Sequence, residues 1–333
     1  MHNLYQSKIW QDIQTKVYQN PTSFISLFGK SHFCIHKEKN IWPFSISWLQ
    51  IMWIYIPDDE ESILQEIKTI RKRYRFDPSK ICMQRWCLNH LVTIKTPHTI
   101  TQAHAQAIKT TRKEAQFWLK KLWLHETIRE NMPPATIIIN VQQSNDELIA
   151  DMSSQAQRYI KKASKKDITI HELHTMHDCD FFYSQRQNIA DTKWFNIIPS
   201  GTFKRLVEYI QMKHCGHIYV AKKDNVIIAG GIYIYQEDTV YYLYGFSTRE
   251  KELRNIWWHH FLTFHVMQRA RERGLRYLDL FGWSPTWYPD HSLAAVSNFK
   301  ESFGWKKIEV YGSFDIPLSN FLYQLFSLRQ QIR

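Results

Sequence analysis

Glycine is scarce in this sequence, at 10 of 333 residues. Few positions can therefore adopt left-handed backbone conformations freely, and each glycine is expected to mark a turn or a close approach. Long apolar runs are also missing. The most apolar window, 41–57, is interrupted by Pro43 and Gln50, and it is too short to predict a membrane span. A pair of buried strands is the better interpretation of that window.

Cysteine is also sparse, with five residues, an odd number at wide spacing. No disulfide framework is predicted, and a reducing cytoplasm is the expected location. Met1 is not followed by a basic segment, an apolar core and a cleavage site, so no secretory signal is expected. The histidine and cysteine clusters at 34–36, 214–217 and 259–265 lack a second matching pair, so no metal is predicted.

Positive charge and aromatic rings are what the sequence has in excess. The formal net charge is +12 and aromatic residues make up 15% of the chain. A basic protein attracts acidic partners at long range, which include nucleic acid, phosphorylated substrates and anionic membranes. Charge alone does not choose among these partners, and a basic balance also occurs in enzymes as a solubility trait. With 44% hydrophobic residues, the chain can bury one large core or two medium ones.

The first 134 residues alternate between helical and strand periodicity. Apolar residues at every fourth position over 9–17 predict a first helix. The segments 24–33 and 41–56 are expected to be strands, with a turn between them at 37–40. A long helix is predicted at about 102–129.

The second half begins with helices, which a meander of strands follows. Ser144 with Glu147 three residues later predicts a capping box at a helix start. The apolar stripe within 203–210 predicts another helix, and three antiparallel strands are expected over 217–246. A helix, a strand, a short helix and a last strand complete the order. This order is that of an acyltransferase domain of the N-acetyltransferase type, and the first half repeats it more loosely.

A coenzyme A site is not predicted. An acetyl-CoA enzyme of this fold is expected to have a glycine-rich turn after its central strand, where backbone N–H groups bind the pyrophosphate at a helix N-terminus. The corresponding segment here, 246–251, is FSTREK and contains no glycine. The segment argues against coenzyme A, and no other cofactor is predicted.

Six short motifs occur in an order that resembles the Fem (FemABX) family of peptidoglycan peptidyltransferases. They lie at 136–148, 158–165, 242–245, 277–282, 299–304 and 309–312. In that family, two acetyltransferase-like (GNAT-like) domains pack around a cleft, and an aminoacyl group moves from tRNA to the side-chain amine of a peptidoglycan precursor. The resemblance implies a mixed α/β fold of two such domains and an aminoacyltransferase activity. It also implies that the partners are aminoacyl-tRNA and a nucleotide-linked or lipid-linked precursor, with peripheral contact at the inner membrane face.

The resemblance assigns candidate catalytic roles to three residues. Lys300 matches the lysine of the family's Phe-Lys pair and is expected near the oxyanion or the terminal phosphate and ribose, while Phe299 offers a face to the terminal adenine. Asp279 follows a predicted strand, where it could order the acceptor amine or accept its proton through water. Alternatively, Asp279 fixes the loop 282–292 through backbone N–H groups. From spacing alone, Phe299 would be a core residue and Lys300 a solvated charge.

Substrate-binding candidates lie on one strand and beside two substituted positions. Tyr242 and Tyr244 alternate with Leu243, so both phenols are expected on one face toward the cleft, with ordinary sheet packing as the alternative. Some family members hold a nucleotide-linked precursor with a lysine and an arginine at positions occupied by other residues here. Lys16 and Lys193 lie near those two positions and are candidate replacements.

A basic segment, RYIKKASKK at 158–166, continues a predicted helix. Its candidate phosphate-binding residues are Arg158, Lys161, Lys162 and Lys165. They suit the tRNA acceptor stem or lipid headgroups, with a solvated helix face as the alternative.

Pro133-Pro134 is the predicted boundary between two domains. Residues 1–134 are expected to bind the precursor, residues 135–317 to bind aminoacyl-tRNA and to hold the catalytic motif, and residues 318–333 to return as a helix onto the first domain. Two other functions fit the same fold. One is an N-acyltransferase that uses another acyl donor, and the other is a non-catalytic protein that binds RNA or a membrane surface.

Overall fold

Two β-sheets organise the computed structural model. The structure describes residues 4–41, 44–54, 59–74, 81–88, 92–95, 113–114, 116–127, 133, 135–173, 175–193, 197–248, 258–284, 294–304, 306–310 and 312–331. Its strands are β1 Thr22–Leu27, β2 Lys30–Ile41, β3 Phe44–Ile54, β4 Ile81–Leu88, β5 Val92–Lys95, β6 His125–Glu126, β7 Ala135–Asn140, β8 Ile168–Glu172, β9 Gly216–Lys223, β10 Val226–Gln236, β11 Thr239–Ser247, β12 Tyr277–Asp279, β13 Lys306–Glu309 and β14 Gly312–Pro317. The first sheet has the order β1-β2-β3-β4-β14-β6, and the second has the order β5-β13-β7-β12-β11-β10-β9-β8.

Helices cover the faces of both sheets. They are Lys8–Asp12, a π-helical turn Ile13–Val17, Glu60–Tyr74, helical residues 116–121, Asn145–Ala150, Ser154–Ala163, Met176–Lys193, Ser200–Lys213, Trp258–Glu272, Ala294–Glu301 and Asn320–Gln331, with a 3₁₀ turn at Leu4–Gln6. Within the described residues, no helix combines the length and apolar character needed to cross a bilayer.

The second sheet is buried on both faces because alternate residues of its strands enter different cores. Tyr219 and Tyr233 belong to the core that contains buried residues of the helix Trp258–Glu272. Ile218 and Ile232, their neighbours in sequence, belong to the core under the helix Ser200–Lys213. This period of two is the side-chain alternation of a strand. The antiparallel meander of β9, β10 and β11 confirms the three predicted strands.

The two sheets exchange one strand each. β14 pairs with β4 and β6 in the first sheet, although it follows β13 of the second sheet directly. β5 pairs with β13 at the edge of the second sheet. The two sheets therefore do not divide the chain at residues 134 and 317. The domain boundaries at these residues stay predictions. The helix Asn320–Gln331 packs on the first sheet, where Phe326 contacts the buried Ile46 and Met83.

Two sequence-based boundaries are wrong, in both cases because non-glycine residues adopt left-handed conformations. The first turn lies at Phe28-Gly29, with φ of 51° and 71°, and β2 runs through the predicted turn at 37–40. The helix expected to reach 129 ends at 121, and Trp123 has a φ of 65° before the chain enters β6. Bulky residues rarely adopt positive φ, so the sequence gives no turn signal at Phe28 or Trp123.

The capping box at Ser144 is confirmed. Its hydroxyl accepts a hydrogen bond from the Glu147 backbone N–H, and the Glu147 carboxylate accepts one from the Ser144 backbone N–H. These two bonds satisfy donors that the first helical turn leaves without intrahelical partners.

Candidate functional site

Lys300 is a buried amine in the helix Ala294–Glu301. Lys300 is only 7% exposed to solvent. Its Nζ donates hydrogen bonds to the backbone carbonyl of Phe281 and, at 2.5 Å, to that of Gly282. Burial lowers the pKa of Lys300 to about 7, although the negative charge of Asp279 acts in the opposite direction. The solvated charge considered as an alternative for Lys300 is therefore wrong.

The turn after β12 supplies both carbonyl oxygens. Phe281 and Gly282 have φ of 49° and 63°, so two consecutive residues are left-handed. A left-handed phenylalanine is unfavourable in isolation, and the surrounding contacts must hold it there. This turn brings two carbonyl oxygens to one lysine, which compensates in part for the removal of its charge from water.

Asp279, the last residue of β12, faces the same site. Its carboxylate accepts hydrogen bonds from the Thr136 hydroxyl and, at 2.8 Å, from the Phe281 backbone N–H. Burial raises the pKa of Asp279 to about 6, while these two hydrogen bonds and the charge of Lys300 lower it. Asp279 thus fixes the start of the turn and interacts electrostatically with Lys300. The rest of the loop that it was expected to fix, 285–292, lies outside the described residues.

Aromatic rings surround Phe299. Its ring centroid lies 5.4 Å from that of His259, 5.0 Å from His260 and 5.2 Å from Phe303. Burial lowers the pKa of His259 to about 3, with further lowering by His260 and Lys300, so the His259 ring is neutral near pH 7. Phe299 is partly buried and packs against the second-sheet core. Its role as a face for adenine stays a prediction.

The histidine pair was visible in the sequence but was considered only as a metal site. His259 and His260 open the helix Trp258–Glu272, and His260 Nε2 lies 2.9 Å from the Ser302 hydroxyl. The sequence feature that could have indicated their role is their position in the first turn of an apolar helix that precedes β12. In the structure both rings pack against Phe299.

Tyr242 forms one wall of the Lys300 site. Lys300 Nζ lies 5.8 Å from the centroid of the Tyr242 ring, and the Tyr233 ring packs 5.3 Å away on the other strand. Burial raises the pKa of Tyr242 to about 12, so the phenol stays protonated. A Cβ on Gly245 would lie 1.8 Å from the Tyr242 hydroxyl, which only glycine avoids.

The expectation that Tyr242 and Tyr244 share one face is wrong. Tyr233 pairs with Tyr242 and Ile232 with Tyr244, so β11 has a bulge at Leu243. An extra residue reverses the alternation beyond it. Tyr242 consequently packs against the core of the helix Trp258–Glu272, whereas Tyr244 packs against the opposite core.

Arg186 is a cation that the sequence-based prediction missed. Its guanidinium lies 4.6 Å from the Tyr244 ring centroid and donates to the Gly245 carbonyl at 3.1 Å. The Tyr244 hydroxyl lies 2.9 Å from that of Tyr18, which belongs to the N-terminal segment. The helix Met176–Lys193 has a weak apolar stripe, so no periodicity marked Arg186 as facing the sheet.

The other predicted binding residues whose side chains the structure describes lie on the surface. Lys16 forms an ion pair with Asp12 at 3.3 Å in the π-helical turn, and its side chain is more than half exposed. The side chain of Lys193 lies outside the described residues. Exposed basic residues occupy the helix Ser154–Ala163 and the turn after it, and they are Arg158, Lys161, Lys162 and Lys165. The start of this helix lies next to the end of the helix Ala294–Glu301, as shown by the hydrogen bond that the Ser153 N–H donates to the Ser302 carbonyl at 2.8 Å.

The buried amine predicts a specific pH dependence of stability. Because the pKa of Lys300 is lowered from 10.5 to about 7 in the folded protein, the unfolded chain binds more protons between these pH values. The free energy of unfolding therefore rises with pH in this window, by about 2 kcal/mol from pH 7 to pH 9. Urea denaturation at pH 7, 8 and 9 measures the free energy of unfolding of the wild type and of Lys300→Met. Because the two proteins share all other titrating groups, the difference between their pH slopes reports the contribution of Lys300. Equal slopes in both proteins would contradict the burial of Lys300 as an ionisable amine.

A family model and two curated relatives match parts of this chain. The FemAB family model matches residues 211–331, which contain Tyr242, Asp279 and Lys300. The lipid II:glycine glycyltransferase of Staphylococcus aureus (strain USA300) is 26% identical over 194 residues, 58% of this chain and 40% of that protein. The enzyme of the same name from the bovine strain RF122 / ET3-1 is 28% identical over 139 residues, 42% of this chain and 31% of that protein. The match thus spans less than half the length of these curated relatives.

The fold extends the likeness to nearly the whole chain. The crystal structure of FemX superposes with a TM-score of 0.69 at 15% identity, and the match covers 98% of this chain and 94% of FemX. The predicted fold class, a mixed α/β chain with two acetyltransferase-like domains in tandem, is confirmed. The chain is therefore similar to the FemAB family over residues 211–331 and shares the fold of FemX over nearly its whole length.

Proposed function

We propose that this chain transfers an aminoacyl group from aminoacyl-tRNA to the side-chain amine of a peptidoglycan precursor peptide. The observation that supports it most directly is Lys300, a buried amine held by two carbonyl oxygens beside Asp279. Both residues lie within the segment that the FemAB family model matches. The name of the S. aureus relatives, lipid II:glycine glycyltransferase, supports a lipid-linked precursor as the acceptor.

The proposed reaction forms an amide from an ester. The acceptor amine attacks the ester carbonyl carbon, a C–N bond forms and the carbonyl oxygen becomes an oxyanion. The C–O bond to the tRNA ribose then breaks; the amine nitrogen loses a proton and the ribose oxygen gains one. A fixed cation next to the developing oxyanion lowers the barrier because its orientation costs nothing during the reaction.

Lys300 has the geometry and the titration range for this role. An ammonium group has three N–H donors, and two of those of Lys300 bind the carbonyls of Phe281 and Gly282. The third N–H serves the substrate oxyanion in our proposal. With a pKa near 7, Lys300 can also return a proton to the leaving ribose oxygen near neutral pH. Asp279 supports the charged form of Lys300 electrostatically, which makes it a positioning residue.

The rings beside Lys300 suit the 3′ end of the donor. Phe299 is partly buried, and its neighbour His259 is held neutral by burial. A neutral aromatic platform stacks an adenine without sequence-specific hydrogen bonds. Tyr242, whose phenol stays protonated, forms the opposite wall and can donate to the substrate peptide.

The exposed basic helix is proposed to contact tRNA phosphates. Replacing Lys161 and Lys162 by Gln is expected to weaken tRNA binding and to reduce the slope of log K against log salt by about 2, roughly 1 for each lost phosphate contact. Filter binding between low and physiological salt measures both quantities. Lys30→Gln with Lys68→Gln is the matched control, since both side chains are exposed and the charge change is equal. An identical slope in the two double variants would contradict this role of the helix.

A product-mass assay tests the function as a whole. The protein is incubated with a mixture of charged tRNAs and either a nucleotide-linked or a lipid-linked precursor. We expect the precursor to gain the mass of one or more aminoacyl residues, and the lipid-linked acceptor to be the better substrate. Mass gain from acetyl-CoA alone, or no gain with either precursor, would overturn the proposal. A lipid-linked acceptor would place the protein at the inner face of the membrane.

A further inference from the structure

An exposed apolar surface lies beside β6, at the edge of the first sheet. Its four large side chains are each more than half exposed, and they are Phe117, Trp123, Phe321 and Leu328. We call these four residues the β6 surface. Single exposed hydrophobic residues are ordinary, but several that share one region point to an interaction site.

A groove is lined by three of these side chains, Phe117, Trp123 and Leu328. One depression, of about 600 Å³, lies between Arg71, Trp123 and the C-terminal helix residues Tyr323 and Leu328. A second, of about 490 Å³, is lined by Phe117 and Lys120 among others. Both depressions include Tyr323, so they form one groove between 116–126 and the helix Asn320–Gln331. Phe321 and Leu328 are seven positions apart, which puts both on one stripe of that helix.

The backbone holds Trp123 in this exposed position. Trp123 has a φ of 65°, a left-handed conformation that a bulky side chain rarely adopts. The preceding Leu119 and Leu122 and the following Leu124 are buried in the first-sheet core, which fixes both ends of the turn. Backbone strain of this kind persists where the surrounding structure determines it, and it is enriched at functional positions. A strained turn with its largest ring in solvent is a second sign of an interaction surface.

Cations lie against the exposed rings. The Arg71 guanidinium is 5.2 Å from the Trp123 ring centroid, and Lys121 Nζ is 4.7 Å from that of Phe117. Lys120 lines the groove between them. The acidic Glu126 at the same groove accepts a hydrogen bond from Gln116 at 2.7 Å. A second carboxylate, Glu60, accepts a hydrogen bond from Trp118 Nε1 at 2.8 Å. The three cations outnumber these two carboxylates, and the resulting positive field favours an anionic occupant.

We infer that the β6 surface docks this chain on a bilayer that contains anionic phospholipids. Tryptophan and phenylalanine rings are stable at the headgroup level of a bilayer, where part of the ring contacts apolar lipid and part contacts water. The neighbouring Arg71, Lys120 and Lys121 would contact the lipid phosphates. The inference deepens the proposed function, since docking would hold the cleft near a lipid-linked acceptor.

Co-sedimentation with vesicles tests the docking without donor or acceptor. The vesicles contain two parts phosphatidylcholine to one part phosphatidylglycerol. We expect Trp123→Gly combined with Leu328→Gln to lower the partition coefficient at least tenfold. Glycine adopts a φ of 65° freely, so the Trp123 substitution removes the ring without adding backbone strain. Phe24→Gln with Met212→Gln is the matched control, because both side chains are similarly exposed at other places, and it should bind like the wild type.

Three outcomes would overturn the inference. The first is a Trp123 variant that binds the mixed vesicles as well as the wild type does. The second is a wild type that binds pure phosphatidylcholine vesicles as well as the mixed ones. The third is a loss of binding in the double variant Lys161→Glu with Lys162→Glu but not in the Trp123 variant. Sedimentation velocity of the wild type tests a second copy of the chain as the occupant, and dimerisation that the Trp123 variant abolishes would also count against docking on lipid. Transfer to the soluble nucleotide-linked acceptor is measured in parallel. Its survival in the Trp123 variant separates failed docking from failed catalysis.

Discussion

Lys300→Met is expected to lower the rate of aminoacyl transfer by about 10²–10³-fold, the usual effect of removing one preorganised donor from an oxyanion site. Methionine has a similar length and no charge, so the substitution removes the N–H donors of Lys300 with little change in side-chain volume. The affinity for the precursor should change little because the proposed contact forms only in the transition state. Steady-state kinetics with charged tRNA, together with calorimetric binding of the precursor, separates the two effects.

The control for this result is Lys306→Met, on β13, the strand that follows the helix of Lys300. Lys306 is partly exposed at a strand position, and its loss should leave the rate within about twofold, as for a surface substitution. A Lys300→Met protein that turns over normally would refute the catalytic assignment. A parallel loss of precursor affinity would instead show that Lys300 shapes the binding site.

Arg85→Met is expected to reduce the free energy of unfolding by about 3–5 kcal/mol, because it leaves a buried carboxylate without its counter-ion. Arg85 on β4 binds Asp315 on β14 through two hydrogen bonds of 2.7 and 2.8 Å, and both side chains are 2% exposed. The pair joins the strand that the second half of the chain contributes to the first sheet. The midpoint and slope of urea denaturation at pH 7 measure the loss.

Two variants locate the origin of this loss. Arg85→Met with Asp315→Leu should recover most of the stability, since an apolar pair replaces both charges. Lys204→Met breaks an exposed pair with Asp180 of similar length, 2.9 Å, and should cost less than about 1 kcal/mol. A double variant as unstable as Arg85→Met would show that side-chain shape, rather than unpaired charge, is responsible.

Local patterns predicted much of the second half correctly. The capping box at Ser144, the buried stripe of the helix Ser200–Lys213 and the meander β9–β11 all depend on residues within a few positions of one another. Periodicity and capping report such short-range preferences directly. The predictions failed at Phe28 and Trp123, where long-range packing holds bulky residues in left-handed turns.

The candidate site was predictable only in part. Lys300 and Asp279 came from the order of motifs, and the structure brings both to the turn at Phe281. The face of Tyr244 was predicted wrongly because a bulge is a property of two paired strands. His259 and Arg186 were missed as site residues, since burial and ring contacts with sequence-distant residues define their roles.

By itself, the sequence determined the kinds of element, their order and the motif that suggests acyl transfer, because helical and strand periodicity and motif order are encoded along the chain. Only the tertiary structure decided that Lys300 is a buried amine with a pKa near 7, that β14 completes the first sheet and that Phe117, Trp123 and Leu328 line one groove. Each of these depends on residues far apart in sequence. Burial, strand exchange and surface clustering arise when distant segments pack, and no local pattern specifies them.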